Sequence, residues 1–169
     1  GEHERAPFVG ADDGVAVDVT GAARVGAVDD HQLAALHGGR WNLPDQPALY
    51  LGLSPAGCAL EAMVIAGHLP RLPLKLLQLR LPADPSLYLQ PRLTELPEGW
   101  NALPADRPSM AFGSDWLRRG EQLGLILPSL AIDQTRCLMI NPQHPASLQI
   151  EVLHITDFAF GRPASHVPP

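Results

Sequence analysis

Basic residues are scarce in this chain: Lys and Arg total 12 against 18 Asp and Glu, for a formal net charge of −6. Affinity for a phosphate backbone comes from clustered cations, and the only basic cluster is Arg118-Arg119, a pair suited to answering a helix dipole. Direct nucleic-acid binding is therefore not expected. Cysteine is rare too. Cys58 and Cys137 cannot make a disulfide framework and read as buried thiols, which suits a reducing compartment. No apolar run approaches the length of a membrane span, and no basic-then-apolar segment opens the chain. The expectation is a soluble, cytoplasmic protein with no membrane partner. The seven histidines, scattered from His3 to His166, lack the paired spacing of a zinc helix or a Cys/His knuckle, so no metal is expected. Internal repeats are absent, and so is the strained glycine-flanked serine of a hydrolase elbow.

What remains is the composition of one globular domain. A chain of 169 residues, 46% hydrophobic and 18% charged, can bury a sizeable single core. Ala48-Leu49-Tyr50-Leu51-Gly52 reads as a short strand, and Ser54-Pro55 as an N-cap with proline at the first helical position. Ala56, Ala59, Leu60, Met63 and Val64 then fall on one face at helical spacing, with Glu61 on the flank of that stripe. Leu77, Leu79 and Leu81 alternate with Gln78 and Arg80, and Leu148, Ile150 and Val152 alternate again, as half-buried strands require. Gly124 to Leu127 and Cys137 to Ile140 are continuous apolar runs consistent with central strands. Ser114 is placed to cap a short helix through Arg119. The stretch from Pro82 to Arg107, rich in proline and polar residues, reads as a long surface excursion, either a lid or a partner surface.

Gly38-Gly39-Arg40-Trp41-Asn42 is the stretch with most chemical content. Two glycines let backbone approach a ligand with no Cβ in the way. Arginine offers a planar fork of fixed charge that suits phosphate or carboxylate, a pyrophosphate among them. The competing reading has Gly38-Gly39 ending a helix from about Asp30 to His37, with Arg40 on the surface and Trp41 anchoring a core. Glu61 is either a cleft carboxylate or a solvated helix-face residue. Ser129, at the end of an apolar run, can reach a ligand across strand ends or satisfy backbone groups in a turn. Asn141 can bind a ribose or amide, or hold the turn before Pro142.

Together with Tyr50, Ser54 and Glu61, this pentapeptide resembles the opening half of a RES domain, the toxin of RES-Xre toxin–antitoxin systems. Leu96-Pro97-Glu98-Gly99-Trp100, Gly113-Ser114-Asp115-Trp116-Leu117, Leu127-Pro128-Ser129-Leu130 and Met139-Ile140-Asn141-Pro142-Gln143-His144-Pro145 resemble its later blocks, in order. The resemblance spans roughly residues 36 to 155, and Arg24-Val25-Gly26 takes the place of the family's first strand. Residues 1–23 match no block, and the loop from Ala131 to Cys137 lacks the acidic-then-Asn pattern of the family. The division implied is an N-terminal segment over 1–23, the RES domain over 24–160 and a proline-rich tail over 161–169.

The resemblance implies an α+β fold like that of ADP-ribosyltransferase toxins: one compact domain with a mixed or antiparallel β core flanked by short helices. It names Arg40, Glu61 and Ser129 as the positions of its arginine, glutamate and serine. It also implies NAD as substrate rather than cofactor, cleaved at the nicotinamide–ribose bond by hydrolysis or phosphorolysis to arrest growth. Cleavage there leaves positive charge on the ribose, so the transition state wants a carboxylate. Glu61 would supply it, and Gly39 and Arg40 would hold the pyrophosphate. Tyr50 would pack against nicotinamide, while Ser129 and Asn141 would fix the ribose or amide. A mono-ADP-ribosyltransferase acting on a protein, and a catalytically silent binding module, are the alternatives. The implied partner is an Xre-like DNA-binding antitoxin, in a hetero-oligomeric complex that supplies the DNA contacts.

Overall fold

Two runs with hardly a polar side chain, Gly124–Pro128 and Arg136–Ile140, lie side by side in the middle of the chain's hydrophobic material. Neither has a polar face to turn to water, so both faces must be covered. In the computed structural model, which describes residues 8–10, 16–18, 23–26, 38–54, 74–130 and 135–158, they pair antiparallel, Gly124 opposite Ile140 and Pro128 opposite Arg136. They form β7 and β8 of a seven-stranded sheet. The others are β3 (Ala23–Gly26), β4 (Leu49–Gly52), β5 (Leu74–Arg80), β6 (Tyr88–Leu89) and β9 (Glu151–Phe158), in the order β6-β7-β8-β4-β3-β5-β9. Every pairing is antiparallel except β6 with β7. A separate hairpin joins β1 (Phe8–Gly10) to β2 (Ala16–Asp18), inside the N-terminal segment. The architecture is a mixed α+β one.

Side chains alternate across a strand, and the sheet accordingly divides the core in two. On one side Ile126, Leu138 and Ile140 pack with Leu51, Leu79, Leu81, Tyr88 and Leu123. On the other, Leu125, Leu127, Cys137 and Met139 pack with Trp41, Leu96, Trp116 and Leu117. Removing a buried tryptophan to alanine typically costs about 3–5 kcal/mol, so Trp41 and Trp116, each 1% exposed, weigh heavily in the second half. That half is closed by a helix, α1 (Arg107–Arg119), whose buried Ser109, Gly113, Trp116 and Leu117 recur at helical spacing. Cys137 is a buried thiol of β8. No described helix is long and apolar enough to cross a membrane.

Two expectations need correction. Ser114 does not start a helix: Asp106 does, its carboxylate accepting from the Arg107 N–H at 2.7 Å with Pro108 following. Acid cap and early proline fix that end, and Ser114 is buried in the helix interior. Arg118 and Arg119 do occupy the last turn, and Arg118 pairs with Asp115. The alternation at Leu148, Ile150 and Val152 does not make one strand, because His144 and Pro145 begin a 3₁₀ turn over Pro145–Gln149. There the His144 ring nitrogen accepts from the Ala146 N–H at 3.1 Å, which leaves Leu148 91% exposed, and β9 starts only at Glu151. The stretch 82–107 does run over the surface, as expected, but it is pinned to the core. Its Tyr88 and Leu96 are buried, β6 pairs with β7, and short 3₁₀ turns at Pro85–Leu87 and Leu93–Glu95 absorb the prolines. The expected helices over 30–37 and 55–64, with Glu61 and Cys58, and the tail over 161–169 lie outside the described residues.

Trp41 and α1 approach so closely that a Cβ added at Gly113 would stand 1.8 Å from the Trp41 carbonyl oxygen. Backbone cannot swing aside as a side-chain tip does. Gly113→Ala should therefore cost about 2 kcal/mol or more and lower the melting temperature by roughly 4 °C or more in a thermal unfolding scan. An unchanged transition would mean that helix and tryptophan can separate without loss.

Candidate functional site

Gly39-Arg40-Trp41-Asn42 folds back on itself. The Gly39 N–H donates to the Asn42 carbonyl at 3.0 Å, and the Asn42 N–H returns a longer bond of 3.5 Å to Gly39. A turn this tight sends its two central side chains in different directions. Trp41 enters the core, stacked on Trp100 with ring centroids 6.0 Å apart and meeting Phe112 edge-on at 6.1 Å. Arg40, half-buried, sends Nη1 to the carbonyl oxygens of Trp100 at 3.2 Å and Ala102 at 2.7 Å. Two acceptors on one guanidinium nitrogen fix the plane of the whole fork.

Tyr50 reaches this turn from β4. Its hydroxyl donates to Asn42 Oδ1 at 2.5 Å and accepts from the Trp41 N–H at 3.1 Å. Asn42, fully buried, uses its amide nitrogen on the Gln46 carbonyl at 2.9 Å, so both ends of its carboxamide are engaged. Burial pushes the Tyr50 phenol well above its ordinary range, opposed in part by the Trp41 N–H and by the Arg40 charge. The phenol stays neutral and cannot serve as a base near pH 7. The Leu43 N–H donates to the Ser114 hydroxyl at 2.8 Å, tying the far side of the turn to α1.

Gly39 has a packing reason to lack a side chain. A Cβ on Gly39 would stand 2.9 Å from the Tyr50 hydroxyl and 2.8 Å from Asn42 Oδ1, closer than packing allows. The backbone is bare here because a tyrosine and an asparagine of the same chain approach it.

Gly39, Arg40 and Tyr50 are thus brought together, but Ser129 and Asn141 are not neighbours of one another. Ser129 follows the end of β7, its N–H donating to Thr135 at 3.0 Å. Asn141 follows β8 beside the start of β7, where its N–H donates to Leu123 at 2.8 Å. Four residue steps of paired strand separate those two ends, a span of about 13 Å. The Asn141 side chain donates to the Leu117 carbonyl at 3.1 Å and accepts from the Gln143 N–H at 3.0 Å, the bonds of a residue that holds the turn. Asn42, Ser114 and the Trp100 and Ala102 carbonyls escape sequence reasoning. Trp100 and Ser114 lie within blocks that stand out in the sequence, yet nothing local shows what they face. Among the described residues no three His, Cys, Asp or Glu side chains gather as a metal site would need.

Comparison with known proteins bears on the family and the fold. A protein named Toxin Res from Yersinia enterocolitica is 32% identical over 112 residues, covering 66% of this chain and 72% of the relative. The Prs ADP-ribosylating toxin of a Sphingobium species is 32% identical over 130 residues, covering 75% and 80%. A chain from the crystal structure of the M. tuberculosis MbcT–MbcA toxin–antitoxin complex superposes with a TM-score of 0.62 at 22% identity, over 82% of this chain and 84% of that one. This last likeness is one of fold. The RES domain profile itself matches residues 18–161, a span that takes in the Arg40 turn, the sheet and α1, and the chain therefore belongs to the RES domain family.

Proposed function

We propose that this chain is the toxin of a toxin–antitoxin pair and that it cleaves the nicotinamide–ribose bond of NAD in the cytoplasm, with water or phosphate as acceptor, so that growth stops as the dinucleotide is drained. The observation that carries the reading is the way Arg40 is held: a permanent cation, oriented by two carbonyls beside a neutral phenol, in a member of the RES family. An oriented guanidinium suits a pyrophosphate, whose oxygens accept paired hydrogen bonds.

Cleavage releases nicotinamide as a neutral molecule and leaves an electron-poor ribosyl centre that the acceptor then attacks. Glu61 supplies the opposing charge in this proposal, an assignment that comes from the family motif alone. Tyr50 contributes as a neutral wall and as the brace of the Arg40 turn rather than through proton transfer. Ser129 is retained as a contact to ribose or amide. Asn141 acts on the site by holding the turn after β8.

A second reading has a specific observation behind it. The relative named as a Prs ADP-ribosylating toxin matches over 80% of its own length, and the same contacts to NAD would serve transfer to a protein side chain. The solved neighbour comes from a toxin–antitoxin complex, which supports an antitoxin partner here. With a net charge of −6, this chain would leave DNA contacts to that partner, an Xre-like protein.

Incubating the purified protein with NAD and weighing the products separates these outcomes. ADP-ribose means water, a phosphorylated ADP-ribose means phosphate, and a mass gain on a protein means transfer. No free nicotinamide under any of these conditions would refute the enzymatic reading and favour a silent binding module.

Glu61→Gln keeps shape and removes charge, so nicotinamide release should fall about a hundredfold or more while NAD binding survives. Near-normal turnover in the folded variant would remove Glu61 from the mechanism. Arg40→Lys keeps charge and loses the fork, and the KM for NAD should rise roughly tenfold. Unchanged kinetics would return Arg40 to a structural role.

A further inference from the structure

Arg40 and the carbonyls that hold it are 60 and 62 residues apart in the chain, so something must bring the two segments into register. The turn over 97–102 is internally modest. Its Trp100 N–H donates to Pro97 at 3.1 Å and its Ala102 N–H to Gly99 at 3.1 Å, while Asn101 and Leu103 on either side of Ala102 face water. Two bonds across a turn do not by themselves fix where its outer carbonyls point. The indole of Trp100 does so, lying against Trp41 at an interplanar angle of 21°. Trp41 is in turn immobilised, by Gly113 below its carbonyl and by Phe112 at its edge.

From this chain of contacts we propose that Trp100 is a positioning residue for Arg40: its ring, stacked on Trp41, sets the Trp100 and Ala102 carbonyls that hold the guanidinium in the plane required to grip the pyrophosphate of NAD. The inference rests on the reading of Arg40 as the pyrophosphate ligand. Trp100 touches no substrate in this account. Its effect is on the orientation of a cation that grips the pyrophosphate, away from the reacting bond, so its loss is read in KM and not in kcat.

The test is a set of five full-length proteins, the parent, Trp100→Ala, Trp100→Phe, Arg40→Lys and the double variant Trp100→Ala/Arg40→Lys, each assayed for nicotinamide release with NAD varied. Trp100→Ala should raise KM roughly tenfold with kcat nearly unchanged, and Trp100→Phe, which still stacks, should recover most of the loss. In the double variant KM should match that of Arg40→Lys alone, since a lysine has no plane to orient. A structural role for Trp100 would instead lower the active fraction, reducing kcat at constant KM, and would add to Arg40→Lys. Either result overturns the proposal, as does a KM that falls in Trp100→Ala, which would make the carbonyls competitors of the substrate.

If Trp100→Ala does not fold, Gly99→Ala carries the test. Gly99 has φ +82°, and an added Cβ meets only Pro108 Cγ at 3.9 Å, so this variant strains the turn without filling the core. It should raise KM in the same manner, and an unchanged KM overturns the proposal. Should Arg40→Lys leave KM unchanged while Trp100→Ala raises it, the pyrophosphate assignment of Arg40 is what fails.

Discussion

The fit of the Trp41 backbone against α1 is the constraint from which the candidate site follows. Its carbonyl meets the helix at the one residue without a side chain, Gly113, and its N–H is taken by Tyr50. Its ring is enclosed between Trp100 and Phe112. With that residue fixed on three sides, the residue before it has few places to go, and Arg40 emerges toward the 97–102 turn. The core half containing Trp41 and the Arg40 turn are therefore one construction, in which packing supplies the rigidity that an oriented cation needs.

The sheet works to the same end. β4 carries Tyr50 and lies directly against β8, with Tyr50 opposite Met139, while β8 is held on its other side by β7. A central strand with partners on both edges has little freedom to shift register, so the phenol is delivered to the turn at a set height. The outer strands are less demanding. β9 is bulged against β5 and carries the acidic partners of the Lys75–Asp157 and Arg80–Glu151 pairs, features that discourage further strand pairing at an edge.

Much of this fold is legible in the sequence where the determinants are local. The alternation at Leu77, Leu79 and Leu81 marks a strand whose exposed Gln78 and Arg80 match the polar positions, and the apolar runs at Gly124–Leu127 and Cys137–Ile140 are the buried strands their composition suggests. Reasoning from local pattern falters where a nearby residue outranks it. Asp106 with Pro108 starts α1 well before Ser114, and His144-Pro145 turns the chain before the leucine alternation at 148 can act. It falters more deeply for the site. Arg40 and Tyr50 stand out by type, but a backbone carbonyl carries no identity in a sequence, and the acceptors that fix Arg40 are carbonyls. Asn42 is equally silent, because its value lies in a tyrosine that arrives from the next strand.

Both tyrosines of the chain are caught in this packing, one in each half of the core. Tyr88 donates its hydroxyl to the Pro82 carbonyl at 2.7 Å, and burial, then the nearby Asp84 charge, raise its pKa as burial raises that of Tyr50. A group whose ionisation is pushed upward by folding lends stability that is complete below its unfolded value, here the ordinary 10.0 of a phenol, and that drains away as pH climbs past it toward the folded value. The two halves of the core thus share an alkaline limit. Above about pH 10, the unfolded chain gives up both phenolic protons while the folded protein keeps them, so alkali draws on the two halves of the core at once by favouring the unfolded chain, with both hydroxyls still in place in the molecules that remain folded.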